Sequence, residues 1–313
     1  MTDASIGHST FSIQHSAFIV FLGYNTNGLA HHDLFDAVEL LAEIGYRGVA
    51  ITIDHNALPP YGKHSRQRLT RLRRSLQRLE MRSVIETGAR FLLDPRTKHE
   101  PTLLSEDRRR RIDFYKYAVD CAAELNSDCV SLWSGTGPFF GEKTRLADRG
   151  LTEKMDQSPL AARAQAMDRL VEGLGEVLAY ASQHGVTVAF EPEPGMLIDS
   201  MQAFEALLRR IDAPNLKLTL DIGHLHCQGE TPIPDAIRRW APRLANIHIE
   251  DMRAAVHEHL MFGEGEIDFP PILQALTAVD YTGGLYVELS RHSHDAPTAA
   301  KRALQFLEQI VPS

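Results

Sequence analysis

A short apolar run rich in β-branched and aromatic residues, followed by an amphipathic segment, recurs eight times along this chain. The runs lie at 18–23, 48–53, 82–87, 129–133, 186–191, 216–221, 245–250 and 284–289. They lack strict polar alternation, the mark of strands buried on both faces, as parallel strands are. Helical spacing fills the intervals. Leu34, Val38 and Leu41 share one face of 33–44; Leu170, Leu174, Val177, Leu178 and Ala181 share one face of 167–183; a last segment, 295–310, follows the final run. EIGYRG (43–48), QHGV (183–186) and DYTGG (280–284) read as helix C-termini leading into strands. Eight such units in 313 residues predict an α/β fold, a closed (β/α)8 TIM barrel, whose usual size is ~250 residues. An open doubly wound sheet is the alternative, and the regularity of the units favours closure. No Pro/Ser-rich linker interrupts the pattern, so one domain is expected over 1–313, with about 1–16 as an N-terminal extension. Stretches 54–65, 88–107 and 134–160 are expected as loops over the active face.

Composition narrows the partners. A hydrophobic fraction of 43% supplies a sizeable core. No run approaches the ~18 to 20 apolar residues of a membrane helix. The N-terminus lacks a basic region followed by an apolar one, so no secretory signal and no membrane partner are expected. Cys121, Cys129 and Cys227 are odd in number and scattered, which suggests a reduced, cytoplasmic protein. A formal net charge of −8 argues against nucleic acid and anionic lipid. Arginines nonetheless crowd 66–80 and 108–111. In the first of these segments Leu69, Leu72, Leu76 and Leu79 recur at helical spacing, so the arginines form the opposite, solvated face; a polyphosphate or nucleic-acid patch is the sharper reading.

In a barrel of this kind chemistry sits at the C-terminal ends of the strands. The fifth run ends in Glu191 and the sixth in Asp221, with His224 three residues on; the seventh carries His248 and the eighth Glu288. Taken singly, a carboxylate at a strand end is often an N-cap, and a histidine in an apolar strand a hydrogen-bonded core residue. Converging at one rim, three carboxylates and an imidazole repel unless a cation lies among them. An oxygen-rich set with one nitrogen suits Mn²⁺, Mg²⁺, Co²⁺ or Zn²⁺.

FEPEPG (190–195), LDIGHLH (220–226), HIED (248–251) with HEHLMFGEGEIDF (257–269), and GLYVELS (284–290) resemble the sugar phosphate isomerase/epimerase superfamily of xylose-isomerase-like barrels. That group includes ketose 3-epimerases, hydroxypyruvate isomerase, inosose isomerases and dehydratases, and endonuclease IV. The resemblance covers roughly 186–290 and is weak in the first half. It implies one divalent ion on Glu191, Asp221, His248 and Glu288, with Glu191 and Glu288 also moving protons on opposite faces of the substrate through a metal-stabilised enediolate. It implies a substrate contact for His224 and, with poorer spacing, for Arg253. His257 and His259 stand where endonuclease IV carries further ligands, so His224, His257 and His259 are implied as a second metal site or as substrate contacts. Glu250 and Asp251 are expected to support or cap, and Asp268 to cap the helix starting near Pro270 or Pro271. The chain departs from endonuclease IV at the third and fourth strands, which end near Glu86 and Trp133 where that enzyme needs histidines.

Further residues fall at the same rim. Trp133 and Phe139 are pocket-lining candidates, with packing the alternative. SGTGPFFGEK (134–143) is a weak candidate phosphate cradle. His55 is either a substrate contact or a surface residue; Asn25 and Asn27 are turn formers or rim residues; Arg291, His292 and His294 stand at the mouth, Arg291 as a candidate for a substrate hydroxyl or phosphate. The expectation is a metal-dependent isomerase or epimerase of a small sugar or cyclitol, working as a monomer or homo-oligomer. The alternatives are a dehydratase or lyase on the same scaffold, an endonuclease IV-type phosphodiesterase, and a non-catalytic carbohydrate sensor.

Overall fold

The structure, a computed structural model, describes residues 20–61, 65–136 and 158–310. Eight parallel strands close into a barrel: β1 (Phe21–Asn25), β2 (Gly48–Thr52), β3 (Arg82–Glu86), β4 (Val130–Leu132), β5 (Val188–Phe190), β6 (Leu216–Asp221), β7 (Leu244–Ile249) and β10 (Gly284–Val287). The ring runs β1-β10-β7-β6-β5-β4-β3-β2. It is the architecture the eightfold rhythm predicts. Only β6 keeps its predicted bounds. β1 continues past the expected 23, and so delivers Tyr24 and Asn25, both buried, to the upper layer of the barrel.

The helices cover this ring. They are α1 (Leu34–Ile44), α2 (Ser65–Arg78), α3 (Arg109–Leu125), α4 (Ser158–Gln183), α5 (Met201–Leu208), α6 (Ile222–Cys227), α7 (Ile233–Trp240), α8 (Phe269–Ala278) and α9 (Ala296–Ile310). In α1 the predicted stripe of Leu34, Val38 and Leu41 is buried. Asp33 opens that helix by accepting the Phe35 N–H at 2.9 Å, and Gly45 closes it at φ 123°, a conformation that costs a side-chain-bearing residue dearly. Fully burying a leucine such as Leu41 contributes about 2 kcal/mol. In α2, Leu69, Leu72 and Leu76 turn inward. Its arginines lie on the outside, where Arg68 pairs with Asp33, Arg73 with Glu124 and Arg78 with Glu39, and Arg71 stacks over Phe35. This is the solvated face of the simpler reading. No helix among the described residues is long and apolar enough to cross a membrane.

Two details differ from expectation. Past β7 the chain folds into an antiparallel hairpin, β8 (Asp251–Arg253) and β9 (Val256–Leu260). The sequence pattern of short apolar runs did not reveal it, because VHEHL carries polar residues on both faces of a partly solvated ribbon. Asp268 does occupy the N-cap of α8, but its side chain makes no capping bond, and the helix starts at Phe269. Asp251 instead is the carboxylate that organises this region. It accepts N–H groups from Met252 at 2.9 Å, Gly263 at 2.8 Å and Ile267 at 3.1 Å.

Candidate functional site

Strand register brings the first four candidates together. Asp221 on β6 lies beside His248 on β7, and His248 beside Tyr286 on β10. Glu288 follows Tyr286 by two residues and shares its side of the sheet. Glu191 stands immediately after β5. His248 Nδ1 is 3.1 Å from Glu191 Oε1, 3.0 Å from Glu288 Oε2 and 3.8 Å from Asp221 Oδ2. One donor atom from each of the four residues lies within 4.8 Å of all the others. Asp221 divides its carboxylate. Oδ1 accepts the His224 N–H at 2.8 Å and opens α6, while Oδ2 is buried without a hydrogen-bond partner. A buried carboxylate oxygen without a donor is costly, and a cation relieves that cost. The donor set therefore fits a divalent ion, three oxygens with one nitrogen.

The other nitrogen of His248 meets a residue that the strand-end pattern marks but that has no role in the expected site. Nε2–H donates to Glu86 Oε1 at 3.0 Å, from the end of β3 across the barrel, and Asn246 donates to the same oxygen at 3.0 Å. A carboxylate on the far side of an imidazole fixes the ring's orientation and tautomer, leaving Nδ1 for the cluster. The signal was present: Glu86 ends its strand as Glu191 ends its own.

A second group sits beside the first. His224, His257 and His259 offer nitrogens within 4.8 Å of one another, and the Nε2 atoms of His224 and His257 are 3.1 Å apart. His224 donates Nδ1–H to the Pro192 carbonyl at 3.3 Å, which leaves its Nε2 lone pair toward the group. Glu193, absent from the sequence reading, stands 3.8 Å from both His224 and His257. Beneath His259, Glu250 is fully buried with neither oxygen hydrogen-bonded, 3.9 Å from His259 Nδ1. It lies so close to α6 that a Cβ on Gly223 would fall 2.0 Å from Glu250 Oε1, so only glycine fits there.

Burial and charge pull these groups apart. Burial raises Glu191 to about 7, against the opposing charge of His248. Burial likewise pushes Glu193 and Glu250 well above the carboxylate range. Glu288 feels the same desolvation, but His248 outweighs it and holds this carboxyl far below its usual value. Asp221 is also lowered, the nearby imidazoles outweighing its burial. Burial opposes charge on His248, yet Glu86, Glu191 and Glu288 lift it well above the histidine range. Burial lowers His224 to about 4 and lowers His257, whereas Glu250, Glu288 and Asp221 together overcome burial and lift His259 to about 10.

These residues open onto one cavity of about 600 Å³, a size suited to a small organic ligand. Glu86, Glu191, Glu193, His248 and Glu288 line it, as do His257, His259, Trp133, His55 and Arg291. Trp133 is nearly buried, and His55 is exposed at the rim. Arg291 pairs with Glu258 at 2.5 Å. Asn25 and Asn27 are also in the lining, and Asn27 donates to Glu288 Oε1 at 2.7 Å. His224 stands behind His257 rather than in the lining, and His292 and His294 are outside it. Arg253 is a correction. Its exposed side chain reaches the Glu264 carbonyl at 3.0 Å and does not line the cavity. The β8–β9 register shifts between Asp251 and Arg253, and such a slip re-aims the side chains beyond it. Phe139 and most of 134–143 lie outside the described residues. Ser134, which is described, spends its hydroxyl on the Ile198 N–H at 3.1 Å.

The family model described as "Xylose isomerase-like TIM barrel" matches residues 38–310. The L-ribulose-5-phosphate 3-epimerase UlaE of Shigella flexneri is 23% identical over 270 residues, 84% of each chain. The inosose dehydratase of Geobacillus thermodenitrificans is 26% identical over 154 residues, 44% of this chain and 51% of that one. This chain spans between about half and just under two thirds of the length of the first curated relatives it matches, from 51% to 64%. Among solved structures, a crystal structure of the IOLI protein with a bound zinc atom superposes with a TM-score of 0.69 at 18% identity, covering 93% of this chain and 98% of that one.

Proposed function

From the premise that this chain belongs to the xylose isomerase-like TIM barrel family, we propose that it is a divalent-metal-dependent isomerase or epimerase of a small polyhydroxy carbonyl compound. The substrate is a ketose, a keto-cyclitol such as an inosose, or a phosphate of one. One observation carries this reading. Glu191 and Glu288 approach the same nitrogen of His248, at 3.1 and 3.0 Å, in the wall of a cavity large enough for a sugar.

Glu191, Asp221, His248 and Glu288 would hold the ion. When bound, it supplies Lewis acidity that polarises the substrate carbonyl and acidifies the adjoining C–H. Glu86 keeps His248 oriented for that set. Glu191 and Glu288 are the pair that moves the proton: one removes it from the carbon next to the carbonyl and the other returns one. Asn27 donates to Glu288 Oε1 and steadies that carboxylate. His257, His259, Trp133, His55 and Arg291 are placed to contact the substrate, with His224 acting through His257. The reading takes one ion per chain. Two ions in fully active protein, by metal analysis, would assign the second to His224, His257 and His259.

A dehydratase is the second reading, and Glu193 favours it. Burial raises the hold of this carboxyl on its proton in the cavity wall, which suits it to protonate a departing β-hydroxyl. Incubation of metal-loaded protein in D₂O with ketoses and inososes, against an EDTA-treated control, separates the two. Metal-dependent deuterium incorporation beside the carbonyl without loss of water supports the isomerase or epimerase. Incorporation with loss of water replaces it by the dehydratase. Incorporation that persists after metal removal defeats both.

A further inference from the structure

We infer that the substrate of this site carries an anionic group, a phosphate ester or a carboxylate, remote from the reacting carbonyl, and that Arg90 and Lys98 are its counter-ions. This deepens the proposed isomerase reading and rests on it for the identity of the carbonyl partner. The anion site itself stands on separate observations.

The ring order places β3 opposite β7, the strand of His248. The loop that leaves β3, residues 87–108, forms part of the cavity wall through Gly88, Arg90, Lys98 and His99. The two charged residues it lends to the wall, Arg90 and Lys98, are opposite in sign to the glutamates on the other strands. Arg90 and Lys98 make no ion pair with a described carboxylate, whereas Arg291, on the same rim, is neutralised by Glu258 at 2.5 Å.

Behind them lies a third cation. Arg111 of α3 is fully buried, and its guanidinium has no carboxylate partner among the described residues. It donates to the carbonyls of Pro101 at 2.7 Å, His99 at 2.5 Å and, more weakly, Thr87 at 3.4 Å. The ring of Trp133, itself a cavity residue, stands 5.1 Å from its centre. Buried charges in proteins are normally paired; Arg111 makes no close ion pair among the described residues, and the charge of Glu100, on the same loop, offsets it in part. His99 registers the surrounding cations. Burial, followed by the charges of Lys98, Arg111 and Arg90, lowers it to about 4. It remains a neutral imidazole, its Nδ1–H held by the Gly88 carbonyl at 2.8 Å.

A neutral sugar leaves Arg90 and Lys98 without a counter-ion among the described residues. A sugar with a terminal oxyanion satisfies both walls at once: its carbonyl and hydroxyls at the acidic cluster, its anion at the basic loop. Charge-assisted contacts of this kind are the stronger hydrogen bonds, and arginine is well suited to phosphate and carboxylate alike.

The test separates the anion site from the chemistry. Protein treated with EDTA is titrated calorimetrically with inorganic phosphate and with glycolate, as wild type and as the Arg90→Gln/Lys98→Gln double variant. Wild type is expected to bind at least one anion, and the variant to bind it at least about tenfold more weakly, or ~1.4 kcal/mol. Tighter phosphate binding assigns a phosphate ester; tighter glycolate binding assigns a carboxylate. Equal binding by wild type and variant, or no anion binding by wild type, overturns the proposal. Deuterium exchange with a ketopentose, its 5-phosphate and a ketohexonic acid then reads the preference. One anionic substrate is expected to exceed the neutral one about 100-fold in kcat/KM, a preference the double variant loses mainly through KM. Equal use of neutral and anionic substrates by wild type also overturns it. Anion binding that meets these expectations, with no exchange on any substrate, upholds the anion site and removes the isomerase reading.

Discussion

The two walls of the cavity are built differently. The acidic wall comes from the ends of β5, β6, β7 and β10, where backbone register fixes each side chain. The basic wall comes from a long loop between β3 and α3, held from beneath by Arg111. Rigid strand ends suit chemistry, which tolerates little displacement. Loops on a fixed scaffold suit recognition, because they accept substitution without disturbing the barrel.

The largest expected effect breaks the acidic wall alone. Glu288→Gln should keep the folded far-ultraviolet circular dichroism spectrum and, assayed with metal in excess, cut turnover by at least about 100-fold. Near-normal turnover would remove Glu288 from proton transfer. Metal removal comes next. An ion present at 100 times its dissociation constant stabilises the fold by about 2.7 kcal/mol, so EDTA should lower the melting temperature measured by calorimetry. An unchanged melting curve would mean that no ion was bound to the cluster. Glu86→Gln tests the support of His248. Metal affinity should fall about 10- to 100-fold in titrations of metal-free protein. Unchanged affinity would reduce the Glu86–His248 contact to packing.

The smallest effect belongs to the basic wall. His99 binds its proton near 6.5 when unfolded and resists it down to about 4 when folded. The unfolded state therefore takes up more protons in that window, and stability falls as pH drops from 6.5 toward 4. His99→Gln should flatten the acid side of the melting-temperature profile. A variant profile parallel to wild type would show that the neutral His99 contributes nothing to acid lability.

The same contrast explains what the sequence discloses. Asp221, His248 and Glu288 are legible because a strand has a period of two and a barrel exposes its strand ends on one rim. Glu86 obeyed that rule but stood in the first half, where the family motifs are weak. The hairpin hides its geometry differently. His257 and His259 alternate on β9, a period visible in VHEHL, while the register shift on β8 that turns Arg253 outward leaves no mark in the residue pattern. Arg90 and Lys98 are ordinary surface residues in sequence. Only the path of their loop makes them a wall, and that path depends on an arginine many positions away whose burial no local pattern announces.

Arg111 ties Thr87, His99 and Pro101 together with one guanidinium. Two stretches of the loop, at Thr87 and at His99 to Pro101, are thereby in place before a ligand arrives. Ordering a mobile side chain on binding costs about 0.5 to 1.5 kcal/mol, and ordering a loop costs more. That entropy has already been lost during folding, so association here requires no closure of this segment. Ligand capture at the basic wall is then limited by encounter and desolvation, and its rate should fall with added salt.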